Sequence, residues 1–279
     1  MKKPGETINI KLPAAFTAGH EQAVRKYLVG VERLTEVDWQ SLTEAMDLLR
    51  QAEIVAAGRR EHFSAVYDRL VDAVYANRAI ERLASLSDLE TEGERLRASI
   101  ARRIMGDLRA AGLWQADVPD SQWLITFCLY WWQVFVRGYA FEIAIYRDLD
   151  KSGVRYTHHD LLERQTRFSE YDLEIVKFRG DVKTSTYFVS TRRTERLSHD
   201  FYITRMYRTS AKQWYRVVWL VKAFWSLLNG EPIPVAYENI WQVLPGVAQI
   251  TLHRRDFVVV LYDEWKQRII ARQTERGMD

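Results

Sequence analysis

The stretch Tyr171–Tyr187, YDLEIVKFRGDVKTSTY, most constrains the fold, because it reads as two neighbouring strands. In the first run the odd-numbered residues are apolar, so Asp172 and Glu174 are expected on the opposite face. In the second run, Asp181 and Lys183 are two residues apart and share one face, while the valine between them turns towards the core. Adjacent strands would therefore bring two carboxylates and an ammonium group together.

These residue types suit the hydrolysis of a phosphodiester, which requires neutralising negative charge and activating a nucleophile. Carboxylates bind hard divalent cations such as Mg²⁺, which polarise water. Lys183 is a candidate to orient that water or to stabilise the developing oxyanion. The backbone carbonyl of Val182 is a candidate for a further oxygen ligand.

The arrangement of acids and lysine resembles the PD-(D/E)XK nuclease superfamily, which includes restriction endonucleases, junction resolvases and the endonuclease subunits of some transposons. That superfamily usually precedes its motif with a helix that carries a glutamate, then a glycine and the first strand. Gly138–Tyr156 has this form, with Glu142 on the predicted helix and Gly153 after it. The resemblance covers roughly residues 132–270.

The resemblance implies a catalytic set with Mg²⁺ or Mn²⁺ as cofactor. Glu142 is similar to the helix acid that assists the metal or water, and Lys183 to the catalytic lysine. Asp172 is similar to the first metal ligand and Asp181 to the second, with Glu174 as a competitor of Asp172.

The sequence departs from the superfamily pattern, and a second interpretation stays open. Tyr171 stands where the motif has proline, and Asp181 stands where glutamate is commoner. The same residues are compatible with a solvated hairpin on which Glu174 and Lys183 form a surface ion pair of little energetic value.

Composition indicates a packed globular protein, since 47% of the 279 residues are hydrophobic and 13% are aromatic. The single cysteine, Cys128, excludes an intrachain disulfide and is typical of a reducing compartment, so we expect a cytoplasmic protein. The N-terminus lacks the apolar segment of a signal peptide. Ser121–Val136 carries no charge but is shorter than the ~20 residues of a membrane span, so it is predicted as a core helix with no membrane partner.

Residues 1–118 are predicted to form an α-helical domain. Apolar residues at helical spacing predict helices within Glu21–Gly30, Thr35–Ala56, Arg60–Leu86 and Glu92–Ala111. The last segment is rich in arginine, but interspersed acids favour a solvated, salt-bridged helix over a phosphate-binding face. A protein partner or a homodimer contact is equally compatible with this region.

Residues 119–279 are predicted to form a restriction-endonuclease-like domain, a mixed β-sheet core flanked by helices. Together with the first region this gives an α+β protein, and the resemblance implies an α-β-β-β-α-β order. The pattern predicts strands at 154–158, 170–176, 181–189 and 200–207, and helices at 133–150 and 211–228.

A basic and aromatic stretch follows the predicted acid–lysine site. Arginines and lysines interleaved with aromatic rings are typical of surfaces that bind nucleic-acid phosphates and stack bases. The candidate nucleic-acid-binding residues are Arg192, Arg193, Arg196, Arg205, Arg208 and Lys212. The alternative is a solvated edge whose aromatic residues belong to the core.

We therefore expect a metal-dependent endonuclease, with DNA favoured over RNA through the resemblance alone. One alternative is a nucleic-acid-binding subunit of a defence or mobile-element complex that does not cleave, and another is a helical protein-interaction scaffold. His158 and His159 beside Asp160 are interpreted as part of a turn or helix start, not as a metal cluster.

Overall fold

The computed structural model of the chain describes residues 8–29, 36–56, 58–161, 170–184, 186, 197–228, 230–252 and 255–276. The chain divides into two units, residues 1–136 and residues 137–279. A long helix, Ser121–Lys151, contributes residues to both units. The predicted boundary between domains of separate function, after residue 118, stays a prediction.

The first unit is helical, but the prediction that it is helical throughout was wrong. Its helices are α1 (Ala18–Val29), α2 (Glu36–Leu49), α3 (Phe63–Leu70), α4 (Ala73–Ser85), α5 (Thr91–Ala110) and the first part of α6 (Ser121–Lys151). Its strands are β1 (Asn9–Lys11), β2 (Glu53–Ala56) and β3 (Arg59–His62), which pair antiparallel in that order.

The β2 strand explains the error, because Ile54 and Val55 are β-branched residues that favour strands. The predicted helix over 35–56 therefore ends at Leu49, before the strand. The predicted helix over 60–86 is divided at Asp72, whose side chain caps α4 by accepting a hydrogen bond from Tyr75 N at 2.8 Å.

The arginine-rich helix α5 is salt-bridged, as the sequence favoured. Arg97 forms an ion pair with Glu94, and Arg103 Nε lies 3.2 Å from Asp107 Oδ2. The Arg103 guanidinium also lies 3.7 Å from the centre of the Tyr75 ring. Arg97 and Arg103 are thus engaged by neighbouring residues of the same unit.

The uncharged segment 121–136 forms a core helix, as predicted. It is part of α6, and Trp132 and Phe127 are buried there. The Phe127 ring packs 5.8 Å from that of Phe63, and Tyr27 donates a hydrogen bond to Gln133 over 2.7 Å. Among the described helices, none combines the length and apolar character required to cross a membrane.

The second unit contains a mixed sheet, which confirms the predicted α+β class. Its described strands are β4 (Thr157–His158), β5 (Leu173–Ile175), β6 (Phe178–Val182), β7 (Phe201–Arg208), β8 (Gln213–Val221), β9 (Ile233–Pro234), β10 (Ala248–Leu252) and β11 (Arg255–Leu261). They form the order β4-β5-β6-β7-β8-β11-β10-β9, in which β6/β7 and β9/β10 are parallel pairs. The described helices here are the end of α6, α7 (Lys222–Trp225), α8 (Ile240–Val243) and α9 (Tyr262–Arg276).

The helix predicted over 211–228 was wrong, since half of that segment is strand β8. The sequence QWYRVVWLV combines aromatic and β-branched residues, which suit a strand better than a helix. β8 pairs antiparallel with β7 on one side and with β11 on the other. Only Lys222–Trp225 is helical.

The chain order around the acid–lysine motif is a helix followed by three antiparallel strands and a parallel fourth. Helix α6 ends at Lys151, and Gly153 follows with a φ of 70°, a left-handed conformation that suits glycine after a helix. β4, β5 and β6 then pair antiparallel, and β7 is parallel to β6. Most of the segment between β6 and β7, residues 187–196, lies outside the described part of the chain.

The parallel β6/β7 pair depends on a glycine. Gly180 lies opposite Phe201, and a Cβ atom at Gly180 would lie 2.2 Å from the Phe201 ring. The ring cannot move away freely, because it is buried between Phe224, with ring centres 5.3 Å apart, and Trp265, at 5.8 Å. The glycine thus leaves the space beside β6 that the Phe201 ring occupies.

Replacement of Gly180 by alanine is expected to lower the free energy of unfolding by about 1–3 kcal/mol, because the added methyl group overlaps a buried ring. Urea denaturation followed by tryptophan fluorescence measures this change. Gly138→Ala in α6 is the control, since nothing lies within 4 Å of its Cβ position, and it should stabilise the helix by about 0.5–1 kcal/mol. Equal stability of Gly180→Ala and the native chain would contradict the proposed packing.

Candidate functional site

The β5–β6 hairpin brings Asp172 and Asp181 side by side. Leu173 pairs with Gly180, and Asp172 N donates to Gly180 O over 2.9 Å, so the ladder continues one step beyond β5. Val182 N then donates to Asp172 Oδ2 over 2.7 Å, which fixes this carboxyl group beside β6. The two carboxyl groups are hydrogen-bonded to each other.

Lys183 completes the hairpin part of the site. Its backbone N–H donates to Ile203 O over 2.9 Å, which holds this residue against β7. Its Nζ lies 2.7 Å from Asp181 Oδ2. The Asp181 side chain is 11% exposed and that of Lys183 is 47% exposed. A largely buried carboxylate is therefore paired with a lysine side chain that reaches solvent.

Helix α6 supplies the third acid, Glu142, which is buried. Tyr146, one turn later on the helix, lies with its hydroxyl 2.6 Å from Glu142 Oε1 and 2.9 Å from the backbone oxygen of Asp172. His159 Nε2 lies 3.4 Å from the same Glu142 oxygen. Four positions predicted from the sequence, Glu142, Asp172, Asp181 and Lys183, therefore meet in one cluster.

The two aspartates share a proton. Burial, the hydrogen bond to Asp181 and the charge of Asp181 raise the pKa of Asp172 to about 9. Burial also opposes ionisation of Asp181, but the hydrogen bond from Asp172 and the charge of Lys183 outweigh it and lower the pKa of Asp181. Because two close carboxylates resist double ionisation, the proton stays on Asp172 at neutral pH and Asp181 carries the charge.

The charges of Lys183 and Glu142 follow from the same surroundings. Burial would lower the pKa of Lys183, but the charge of Asp181 and its hydrogen bond reverse this effect and raise it, so the ammonium form persists. Burial is the main cause that raises the pKa of Glu142 to about 7. The Lys183 ammonium alone cannot balance three ionised carboxylates in the cluster. Asp172 and Glu142 therefore keep their protons more readily than exposed carboxyl groups do.

His158 and His159 were interpreted as part of a turn or helix start, and this interpretation missed the position of His159 beside Glu142. The neutral form is favoured, because burial lowers the pKa of His159. Its Nδ1 lies 3.2 Å from the backbone oxygen of Asp172, which can only accept, so Nδ1 carries the hydrogen. The lone pair of Nε2 then points towards Glu142.

One ligand atom from each of Glu142, His159 and Asp172 lies within 4.8 Å of the others, an arrangement that could hold a metal ion. The Nδ1–H bond to a carbonyl is the type of contact that orients a metal-binding imidazole. A nitrogen lone pair that faces a carboxylate needs either a proton or a cation between them. The donor set therefore fits a divalent cation.

His199 is a further neighbour that the sequence did not reveal. Its Nδ1 lies 3.9 Å from Asp181 Oδ2, and its Nε2 bonds to the backbone oxygen of Glu170. Its backbone N–H donates to the Tyr202 hydroxyl over 3.1 Å. The only sequence signal is its position just before β7, which the parallel register places beside Asp181.

Glu174, the predicted competitor of Asp172, lies away from this cluster. It pairs with Arg179 across the hairpin, and their charged atoms are 3.6 Å apart. Asp172 precedes the regular strand, so its side chain bends towards the Val182 N–H instead of following the alternation that we expected for both acids. The surface ion pair suggested for Glu174 is thus made with Arg179, whereas Lys183 is bound to Asp181.

The predicted carbonyl ligand of Val182 stays a prediction. In a strand, the N–H and C=O of one residue point to the same neighbouring strand. Because Val182 N–H points to Asp172, its carbonyl is directed to the same edge of β6.

Of the six candidate nucleic-acid-binding residues, the described part of the chain contains Arg205, Arg208 and Lys212. Arg192, Arg193 and Arg196 lie outside the described residues. Arg205 and Arg208 are on β7, and Lys212 is in the turn before β8. Asp181 pairs with Tyr202, so it shares a face with the even-numbered residues of β7, and Arg205 projects from the opposite face.

Comparisons with protein-family models, with curated proteins and with solved structures give no significant match. The resemblance to the PD-(D/E)XK superfamily therefore depends on the residues of this chain and on their arrangement.

The Asp172→Asn variant is expected to lose less stability than the native chain as the pH rises. The raised pKa means that folded Asp172 keeps its proton while the unfolded chain releases it, so native stability falls between about pH 4 and pH 9. This carboxyl group contributes a slope of up to about 1.4 kcal/mol per pH unit. Asparagine keeps an acceptor for Val182 N–H and a donor for Asp181.

Urea denaturation in EDTA at pH 5 to 9 measures this difference. Glu174→Gln, on the same hairpin, is the matched control and should keep the slope of the native chain over this range. An Asp172→Asn variant with the native slope would show that this residue does not hold the shared proton.

Proposed function

We propose that this protein is a metal-dependent endonuclease that hydrolyses phosphodiester bonds, with DNA favoured over RNA. The supporting observation is the convergence of Glu142, Asp172, Asp181 and Lys183 in one cluster. The solvated-hairpin interpretation predicts separate, exposed acids, whereas Glu142 and Asp181 are each only 8% exposed. Buried acids with opposed pKa shifts are typical of reaction sites.

The cluster has the donors that a divalent cation requires. Glu142, Asp172 and His159 would hold the ion, and Asp181 lies against Asp172. A bound divalent cation neutralises phosphate charge and lowers the pKa of a coordinated water. Carboxylate oxygens suit Mg²⁺ and Mn²⁺, and the imidazole nitrogen shifts the preference towards Mn²⁺.

The protein groups prepare the site for an anionic substrate. Asp181 holds the Lys183 ammonium in place through a 2.7 Å contact, and the Lys183 side chain is about half exposed. It is thus placed to donate a hydrogen bond to a phosphate oxygen as negative charge develops. Glu142, with its pKa raised to about 7, can accept or release a proton near neutral pH.

The proposed substrate class is supported by a basic surface on β7 and β8 and by the superfamily resemblance. The hairpin of β7 and β8, residues 201–221, contains Arg205, Arg208, Lys212 and Arg216 and no acidic residue. Such surfaces bind phosphate backbones with little sequence preference. The same surface would also serve a subunit that binds nucleic acid without cleaving it, which the following experiment separates from an enzyme.

The Lys183→Gln variant is expected to lose cleavage activity by at least about 100-fold, because the neutral amide cannot stabilise the developing charge. The native chain and the variant are incubated with supercoiled, linear and branched DNA and with RNA, in Mg²⁺, Mn²⁺ or EDTA. Lys177→Gln is the control, since Lys177 is exposed in the turn of the same hairpin. Native-like cleavage by Lys183→Gln would remove Lys183 from the site.

Cleavage that needs both metal and Lys183 would support the endonuclease and identify its substrate. Salt-sensitive binding without cleavage under every condition would favour the binding subunit. Absence of both would favour the helical interaction scaffold.

The His159→Gln variant is expected to need a higher Mn²⁺ concentration for half-maximal activity, with a smaller change for Mg²⁺. Loss of the nitrogen donor weakens binding of Mn²⁺ more, because Mg²⁺ prefers oxygen ligands. Metal titrations of cleavage and of the thermal unfolding midpoint measure the change. His158→Gln is the control, since His158 stacks on Tyr146 with ring centres 4.6 Å apart and lies outside the metal-ligand set. Equal shifts for the two metals would argue against His159 as a ligand.

A further inference from the structure

Within the described residues, the β7–β8 hairpin extends beyond its pairing with the strands on either side of it. In the described residues, β6 pairs only with residues 201–203 of β7, and β11 pairs only with residues 217–221 of β8. The pairing between β7 and β8 nevertheless continues to Arg208 and Gln213. Residues 204–216 thus form a two-stranded ribbon, which we call the basic ribbon.

The two faces of the basic ribbon differ. On the inner face, Met206 is buried in the core, and the Tyr215 ring lies 5.2 Å from that of Trp241. On the outer face, Tyr207 and Trp214 are paired across the strands and are 44% and 52% exposed. Their ring centres are 5.3 Å apart. The inner face therefore anchors the ribbon, and the outer face presents aromatic surface to solvent.

Positive charge surrounds these rings. Arg205 lies directly opposite Arg216, a like-charge pairing that disfavours the ribbon by itself. The Arg205 guanidinium lies 5.6 Å from the centre of the Trp214 ring, and Lys212 is exposed at the turn. Arg216 also interacts with Asp148, so its charge is partly offset, whereas the hairpin contributes no acid of its own. Exposed rings among like charges match a partner that has both anionic groups and flat apolar rings.

We propose that the outer face of the basic ribbon binds an unpaired nucleic-acid strand, with bases stacked on Trp214 and Tyr207 and phosphates bound by Arg205, Arg216 and Lys212. This inference rests on the proposed function and specifies which part of its substrate is held. An unpaired strand is required because paired bases do not offer their faces to a protein ring.

The basic ribbon is separate from the acid–lysine cluster. Lys183 is bonded to Ile203, and Tyr207 is four residues further along β7, about 13 Å away at the usual rise of a strand. Tyr207 also lies on the opposite face from Asp181. The ribbon therefore holds a flanking part of the strand, and its binding should not require metal.

The test is binding of fluorescein-labelled single-stranded oligo(dT) and of a duplex of equal length, measured by anisotropy in EDTA. The Tyr207→Ala/Trp214→Ala double variant is expected to bind the single strand about tenfold or more weakly, since each stacked base contributes ~1–3 kcal/mol. Its affinity for the duplex should change less than threefold. Ile233→Ala is the control, because Ile233 is another exposed large apolar residue of the second unit.

A second pair of variants separates stacking from a structural role of the rings. Trp214→Phe keeps an aromatic face and should recover most of the affinity that Trp214→Ala loses. Arg205→Gln should weaken binding of single strand and duplex alike. It should also lower the slope of log affinity against log salt concentration by about 1, because one phosphate contact is lost. Arg59→Gln, an exposed arginine of β3, is its control.

Unchanged single-strand affinity in a folded double variant would overturn the inference. A loss of affinity that is the same for single strand and duplex would also overturn the inference. So would a protein that binds phosphatidylserine vesicles through Trp214 and does not bind oligo(dT). Because the assay contains EDTA, it measures binding in the absence of metal-dependent cleavage, and Lys177→Gln should retain native single-strand binding. If no cleavage is found, single-strand binding by the ribbon can still be detected. If the aromatic residues make no contribution to binding, metal-dependent cleavage can still be detected in its own assay.

Discussion

The hydrogen bond between the carboxyl groups of Asp172 and Asp181 is the contact on which the site depends. It exists because the β5–β6 ladder continues one residue beyond β5 and because Val182 N–H holds the Asp172 side chain. The pair retains a proton at neutral pH, whereas a carboxylic acid exposed to water would release it. This excess of buried acid opposes folding at neutral pH, and a cation or an anionic substrate with its cation would relieve it.

The sheet determines what surrounds that pair. Gly180 allows β6 to approach Phe201, and the parallel register then places His199 beside Asp181 and Lys183 beside Ile203. Beyond this point β7 and β8 continue as the basic ribbon. The alternation of side chains divides the ribbon into a core face and a solvent face. The cluster and the ribbon thus share one strand, β7, which pairs with β6 at the cluster and with β8 along the ribbon.

Several features were predictable because they depend on local patterns. The D-x-K alternation placed Asp181 and Lys183 together, and Gly153 marked the end of the helix that carries Glu142. The segment after Arg208 was wrongly predicted as a helix, although its aromatic and β-branched residues favour the strand that pairs with β7 and β11. Other features were not predictable. His159 was missed because its role depends on the Asp172 carbonyl, to which β4 pairing brings it.

The order of acids, lysine and glycine along the chain was enough to indicate an α+β protein with a candidate acid–lysine site, since strand alternation and helix ends are local properties. Tertiary structure placed Asp172 beside Asp181 and Glu174 away from it, brought His159 and His199 to the cluster, and separated Arg205 from the face of Asp181. These outcomes depend on strand register and on the burial of charge. Both arise from contacts between residues distant in sequence, which a pattern of neighbours does not contain.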